Sequence, residues 1–205
     1  MQMRSINSLV KGSILTALVI GTSGATQAQV SVNSFNLTSL GTLSALTNPG
    51  PAFTTLFGSG TGTVAGGFAT NIDSTGKTIS FAAPITFDIT ASGGGGPTTA
   101  TQLANFAINV GGTDYAGALT LQYTVTTVNG STSNVAVAAA GPASFTDGTN
   151  TFNFTLAPSN TNLSNGPGQS FGFSGTLATV PEPATLALFG LGLAPIAVAI
   201  RRRRK

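Results

Sequence analysis

The sequence contains no cysteine, no histidine and no tryptophan, and only 6 % of its residues are charged. Without cysteine there is no disulfide framework, and an oxidising compartment carries no mispairing hazard. With histidine missing as well, the usual zinc ligand sets, the Ser–His and Cys–His nucleophile pairs and the commonest general base are excluded. The absence of tryptophan removes the best aromatic platform for a sugar ring, and only Tyr115 and Tyr123 carry an aromatic ring with a polar tip. Charge at 6 % lies far below the usual share of about 25 %. The abundant Thr, Ser, Asn and Gly make the chain polar without making it ionic.

The formal net charge of +3 is confined to the ends. Arg4 and Lys11 precede the first apolar run, and Arg201, Arg202, Arg203, Arg204 and Lys205 follow the last one. Between them only Lys77 stands against Asp73, Asp88, Asp114 and Asp147, which leaves the middle at about −3. Nucleic-acid binding therefore has no electrostatic basis.

Those four aspartates are the remaining chemistry. A pair of carboxylates can hydrolyse a glycoside, and Asp73-Ser-Thr-Gly is one residue too long for an aspartic-protease loop. Calcium could use Asp and backbone carbonyls, but no Asp-x-Asp-x-Asp-Gly cluster is present. Widely separated carboxylates read as solvated loop and strand-end groups. The expectation is a non-enzymatic protein with no catalytic residue, no metal site and no cofactor.

Both ends read as processing segments. Positive Arg4 and Lys11, an apolar stretch around Ile14 to Ile20, and the small residues Ala25, Thr26 and Ala28 follow the order of a secretion signal. Cleavage after Ala28 is expected, with Ala25 as the alternative, giving a signal peptide over 1–28. At the other end stand Val180, Pro181, Glu182 and Pro183, then an apolar run over 184–200, then the basic cluster 201–205. Two prolines flanking one acid impose an extended strip, because proline locks φ and biases its predecessor away from the helical region. The 17 residues of the run reach roughly 26 Å as a helix, against a bilayer core of about 30 Å, and arginine side chains can snorkel across the difference. Positive charge at both ends holds both ends on the cytoplasmic side and places the middle outside.

This arrangement closely resembles the PEP-CTERM sorting signal, with a Pro-Glu-Pro motif, a transmembrane segment and an Arg-rich end, all in order over Val180 to Lys205. A sortase tail would need Leu-Pro-x-Thr-Gly, which is absent, and a GPI signal normally lacks a terminal basic cluster. The resemblance implies recognition by an exosortase, a multi-pass membrane transpeptidase, with Pro181, Glu182 and Pro183 as the recognition site. It also implies Arg201 to Lys205 as the cytoplasmic retention signal, and release or attachment outside. The resemblance further implies a bacterial host of the kind that makes exopolysaccharide, biofilm or flocs.

Between the ends, residues 29–179 alternate apolar and polar with a period of two. Ile79, Phe81, Ala83, Ile85, Phe87 and Ile89 share one face, with Pro84 on the other marking a bulge or an edge. Similar alternation over 106–110, 119–125, 152–156 and 171–177, with weaker candidates at 30–38, 52–57, 63–70 and 134–139, gives about nine strands. Asn129-Gly130 and Asp147-Gly148 are hairpin signals. Ser92 to Pro97 reads as a flexible loop, and Ser159 to Gly168 as another polar loop or a lead-in to the final strand. The predicted fold is all-β, an antiparallel sandwich or jelly roll between a signal helix and a transmembrane helix.

The expected whole is a cell-surface or extracellular-matrix structural protein, transiently anchored in the inner membrane with its C-terminus cytoplasmic. Signal peptidase and an exosortase are its processing partners, and exopolysaccharide is a possible further one. The alternative is a secreted carbohydrate-binding module.

Overall fold

The computed structural model describes residues 29–48, 50–64, 68–90 and 96–180. The signal segment 1–28 with Ala28, most of the glycine tract, the run 184–200 and every residue from Pro181 to Lys205 lie outside the described residues. Among the described residues there is no helix, hence none long and apolar enough to cross a membrane. The two flanking helices expected from the sequence fall on segments that are not described.

The described residues form twelve strands. They are β1 (Val30–Leu40), β2 (Ala52–Phe57), β3 (Gly60–Val64), β4 (Thr70–Ile72), β5 (Lys77–Thr90) and β6 (Thr98–Val110). The second half supplies β7 (Thr113–Asn129), β8 (Thr132–Ala139), β9 (Ala143–Thr146), β10 (Thr151–Leu156), β11 (Ser159–Ser164) and β12 (Gly166–Val180). All pair antiparallel in one sheet ordered β11-β8-β7-β6-β1-β3-β5-β12-β10-β9, with β2 on β5 and β4 on β1.

A single curled sheet replaces the expected pair of facing sheets. The reason lies in the long strands, which change partners along their length and so never divide into two sets. One edge of β5 pairs with β3 at Ile79 to Phe81 and with β2 from Ile85 to Thr90. β6 pairs with all of β7 as far as Val125, whereas β8 begins its pairing with β7 only at Leu121. The first part of β7 instead meets β9: a Cβ added at Gly117 would stand 2.6 Å from the Ser144 carbonyl oxygen and from the Phe145 ring. The sheet thus curls until its β9 edge lies against its own β7.

Hairpin chemistry sets the register. Gly111 and Gly112, at φ 61° and 89°, form the two-residue turn between β6 and β7, a conformation with positive φ at both central positions that side chains resist. Asn129 Oδ1 accepts from the Ser131 N–H at 2.9 Å at the β7–β8 turn, and Asp147 closes the β9–β10 turn. Both sequence-marked turns are therefore present.

Pro84 does mark a bulge. Phe171 pairs with Ile85 and Phe173 with Phe81, so Ala82, Ala83 and Pro84 face the single residue Gly172. Ala83 adopts φ 52° and is exposed, contrary to its expected inward position. Because the bulge adds an even number of residues, Phe81 and Ile85 both still point inward.

Inside, Phe35 packs against Phe81, Phe106, Phe145 and Phe154 with ring centroids 4.9 to 5.7 Å apart. A second group joins Phe87 to Phe53, Tyr123 and Phe171. Each ring fully buried contributes on the order of 1.5–3 kcal/mol by area removed from water. Glycines on the inner face make the room: a Cβ at Gly175 would lie 2.5 Å from the Phe154 ring.

Three strands were not foreseen as such. The 63–70 candidate is two strands, β3 and β4, on either side of a short connection. β9 is only four residues long. β11 occupies most of the expected polar loop, because main-chain pairing with β8 satisfies Ser-Asn-Thr-Asn although only Leu163 is buried.

Candidate functional site

Of the sorting residues singled out by the sequence, Val180 closes β12 and is the last described residue. That strand continues to Val180, which pairs with Thr151 of β10, while Thr179 pairs with Phe152. On its other side Leu177 pairs with Lys77, and the Thr179 N–H donates to the Asp73 carbonyl oxygen at 3.0 Å. The strand is thus held on one edge as far as Val180 and on the other as far as Thr179. Val180 is 37 % exposed, and its extended conformation is the one a following proline favours.

The β4–β5 turn that provides this clamp is built by Asp73. Its Oδ1 accepts from the Thr75 N–H at 2.9 Å, the Thr75 hydroxyl at 2.5 Å and the Gly76 N–H at 3.2 Å. Donation by the Thr75 hydroxyl, ahead of the backbone N–H groups, holds the carboxyl below the usual carboxylate range. Gly76, at φ 77°, sits so close to β12 that a Cβ would stand 2.6 Å from the Thr176 methyl.

The other end of the described chain arrives at the same place. Val30 pairs with Ile72, the residue before Asp73, and Gln29 accepts from Asn71 Nδ2 at 3.4 Å. Residues 29–30 and 179–180 therefore leave the sheet from one pole, on either side of Ile72 and Asp73. Of the sequence-predicted site residues only Val180 is described. Ala28, Pro181, Glu182, Pro183 and the basic residues Arg201 to Lys205 lie beyond it.

The carboxylates do not gather. Asp147 Oδ1 accepts from the N–H groups of Thr149 and Asn150, and its Oδ2 from Asn150 Nδ2 at 2.9 Å. The Asn150 side chain leads the effects that lower its carboxyl. Asp88 accepts from the Gly168 N–H at 2.7 Å, and Asp114 from Asn109 Nδ2 at 2.6 Å. Among the described residues no cluster of acidic side chains could hold a metal ion.

Tyr123, one of the two polar rings, is 1 % exposed and points inward. Its hydroxyl donates to Gln102 Oε1 at 3.0 Å, which also accepts from Thr55 Oγ1 at 2.8 Å. Gln102 Nε2 in turn donates to the Gly41 carbonyl at 2.7 Å. Burial pushes the Tyr123 phenol above its ordinary range. This network ties β2 to β6 and β7. Sequence reasoning missed it, although a Gln between Ala100 and Ala104 at inward spacing was its signal. A shallow outer depression lined by Gln122, Thr124, Ala136, Ala138, Pro158 and Ser159 contains no charged side chain.

No curated protein and no solved structure matches the chain. The profile of the PEP-CTERM protein-sorting motif does match, over residues 179–205, beginning within the last two residues of β12. The chain thus carries a PEP-CTERM sorting signal, which marks an exported protein with a C-terminal membrane-anchoring segment, processed by an exosortase.

Proposed function

We propose that residues 29–179 form the cohesive or spacer module of a cell-surface or extracellular-matrix protein, without enzymatic activity, that serves an exopolysaccharide layer. In this reading signal peptidase cuts after Ala28, and the exosortase system recognises Pro181, Glu182 and Pro183. The tail Arg201 to Lys205 stays on the cytoplasmic side until processing. The observation that carries the reading is how the domain spends its few charges: each aspartate holds a turn or a neighbouring strand, and none joins another. A rigid, weakly charged, hydroxyl-rich surface suits a hydrated polymer layer of variable salt.

The carbohydrate-binding alternative draws less support, because Tyr123 is buried and Tyr115 is packed against the core. A glycan array with the exported protein, together with deletion of its gene, tests the proposal. The expected result is loss of matrix cohesion on deletion and no saturable binding to any defined oligosaccharide. Saturable binding to one oligosaccharide class would instead make the domain a carbohydrate-binding module.

A further inference from the structure

The sheet has a first and a last strand, and the two differ. β9 lies against β7 at Gly117, so the curl covers that side. Among the described residues β11, at the other end, pairs only with β8. Its central residues Asn160, Thr161 and Asn162 are all exposed. Alternate residues of a strand point to opposite faces, so three consecutive exposed residues mean that the middle of β11 is open on both faces, while Leu163 anchors its end in the core. Natural sheets protect such an edge with Lys, inward charges, proline or bulges. Ser159-Asn-Thr-Asn-Leu-Ser164 has none of these within the strand, Pro158 standing just before it, and its pairing with β8 runs without a bulge.

We propose that β11 is a self-association edge, at which a second copy of this chain adds its own β11 antiparallel. The pairing is isologous, with Thr161 on the two-fold axis and Asn160 of each copy opposite Asn162 of the other. The side chains are suited to it. Asn134 Nδ2 already donates to Asn162 Oδ1 at 2.9 Å, so an amide ladder runs from β8 onto β11. The Asn162 amide N–H groups remain to donate to the Asn160 side chain of the second copy. Asn ladders of this kind stabilise stacked strands. The edge carries no charge, so two copies meet without repulsion there. A lipid or an acidic peptide would find neither a basic nor an apolar row.

The proposal rests on the cohesive role argued above and names its partner: the domain links to itself. The test is sedimentation equilibrium of the mature exported protein beside Thr161→Lys, Asn162→Lys and, as a control on the outer face of β7 away from the ladder, Thr120→Lys. The wild type and Thr120→Lys are expected to dimerise with equal affinity. Each edge variant is expected to weaken the dimer at least about tenfold while retaining the wild-type circular dichroism spectrum. Amide protection over 159–164 is expected to rise with protein concentration. A wild type that stays monomeric, or a dimer unaffected by both edge lysines, would overturn the proposal. Matrix retention is read separately in cells: a retained monomer sinks the edge alone, and an unretained dimer sinks the cohesive role alone.

Discussion

Asp73 makes two kinds of contact, its carboxylate fixing the turn after β4 and its carbonyl oxygen receiving the Thr179 N–H. Its carboxyl, like that of Asp147, is held below the ordinary range by hydrogen bonds to the charged form. An unfolded Asp titrates near about 3.9. The stability these groups contribute is therefore present above about pH 4 and lost as pH falls through the lower folded values. Both are solvated, so the effect is modest. Urea midpoints at neutral and acid pH are expected to diverge in the wild type and to converge in the Asp73→Asn, Asp147→Asn double variant. Tyr123 has the opposite sign. Its phenol is raised by burial, so its contribution is intact below about pH 10 and lost as pH rises. In ultraviolet titration the phenolate of Tyr123 is expected to form only with unfolding. Tyr123→Phe keeps the ring and forfeits one hydrogen bond, costing about 1 kcal/mol. Gly175→Ala is expected to cost about 1–3 kcal/mol, because the Phe154 ring occupies the space a methyl needs. Denaturant unfolding measures both.

At the scale of elements, alternation revealed strands wherever an inward row of large apolar residues exists. The rows Ile79 to Ile89 and Phe171 to Leu177 are buried as their period requires, apart from Ala83 at the bulge. Where pairing alone makes the strand, the sequence is silent. β11 is polar on both faces and β4 has only three residues. The Gly111-Gly112 turn was legible in principle, since its two glycines stand between alternating runs, but the neighbouring Asp114 and Tyr115 obscured the alternation there. Curling, rather than splitting into two sheets, depends on partner exchange along β5 and β7, which no local pattern encodes. The motif at the chain end was readable because prolines and arginines act through their own chemistry. Its clamp was not, because Asp73 and Thr179 are distant in sequence. At the Pro84 bulge, Ala83 holds a left-handed φ of 52°. Ala83→Gly is expected to stabilise the fold by about 0.5–1 kcal/mol, read as a shift in urea midpoint.

Over the whole molecule, the placement of residues 29–30 and 179–180 at one pole bears on processing. A domain whose first and last strands diverged to opposite ends would need a long linker to keep both ends near one membrane. Here Val30 and Thr179 flank Ile72 and Asp73. The described domain can thus complete its sheet with residues 29–30 and 179–180 leaving it side by side. Strand pairing to Val180 leaves the enzyme no unpaired backbone in β12 before Pro181 unless β12 frays. Cleavage is accordingly expected on the C-terminal side of Val180. Intact-mass spectrometry of the protein recovered from the outside fraction tests this most directly. The account predicts a chain that starts near Gln29, keeps Val180 and lacks Arg201 to Lys205. An exported chain with its basic C-terminus intact would contradict it.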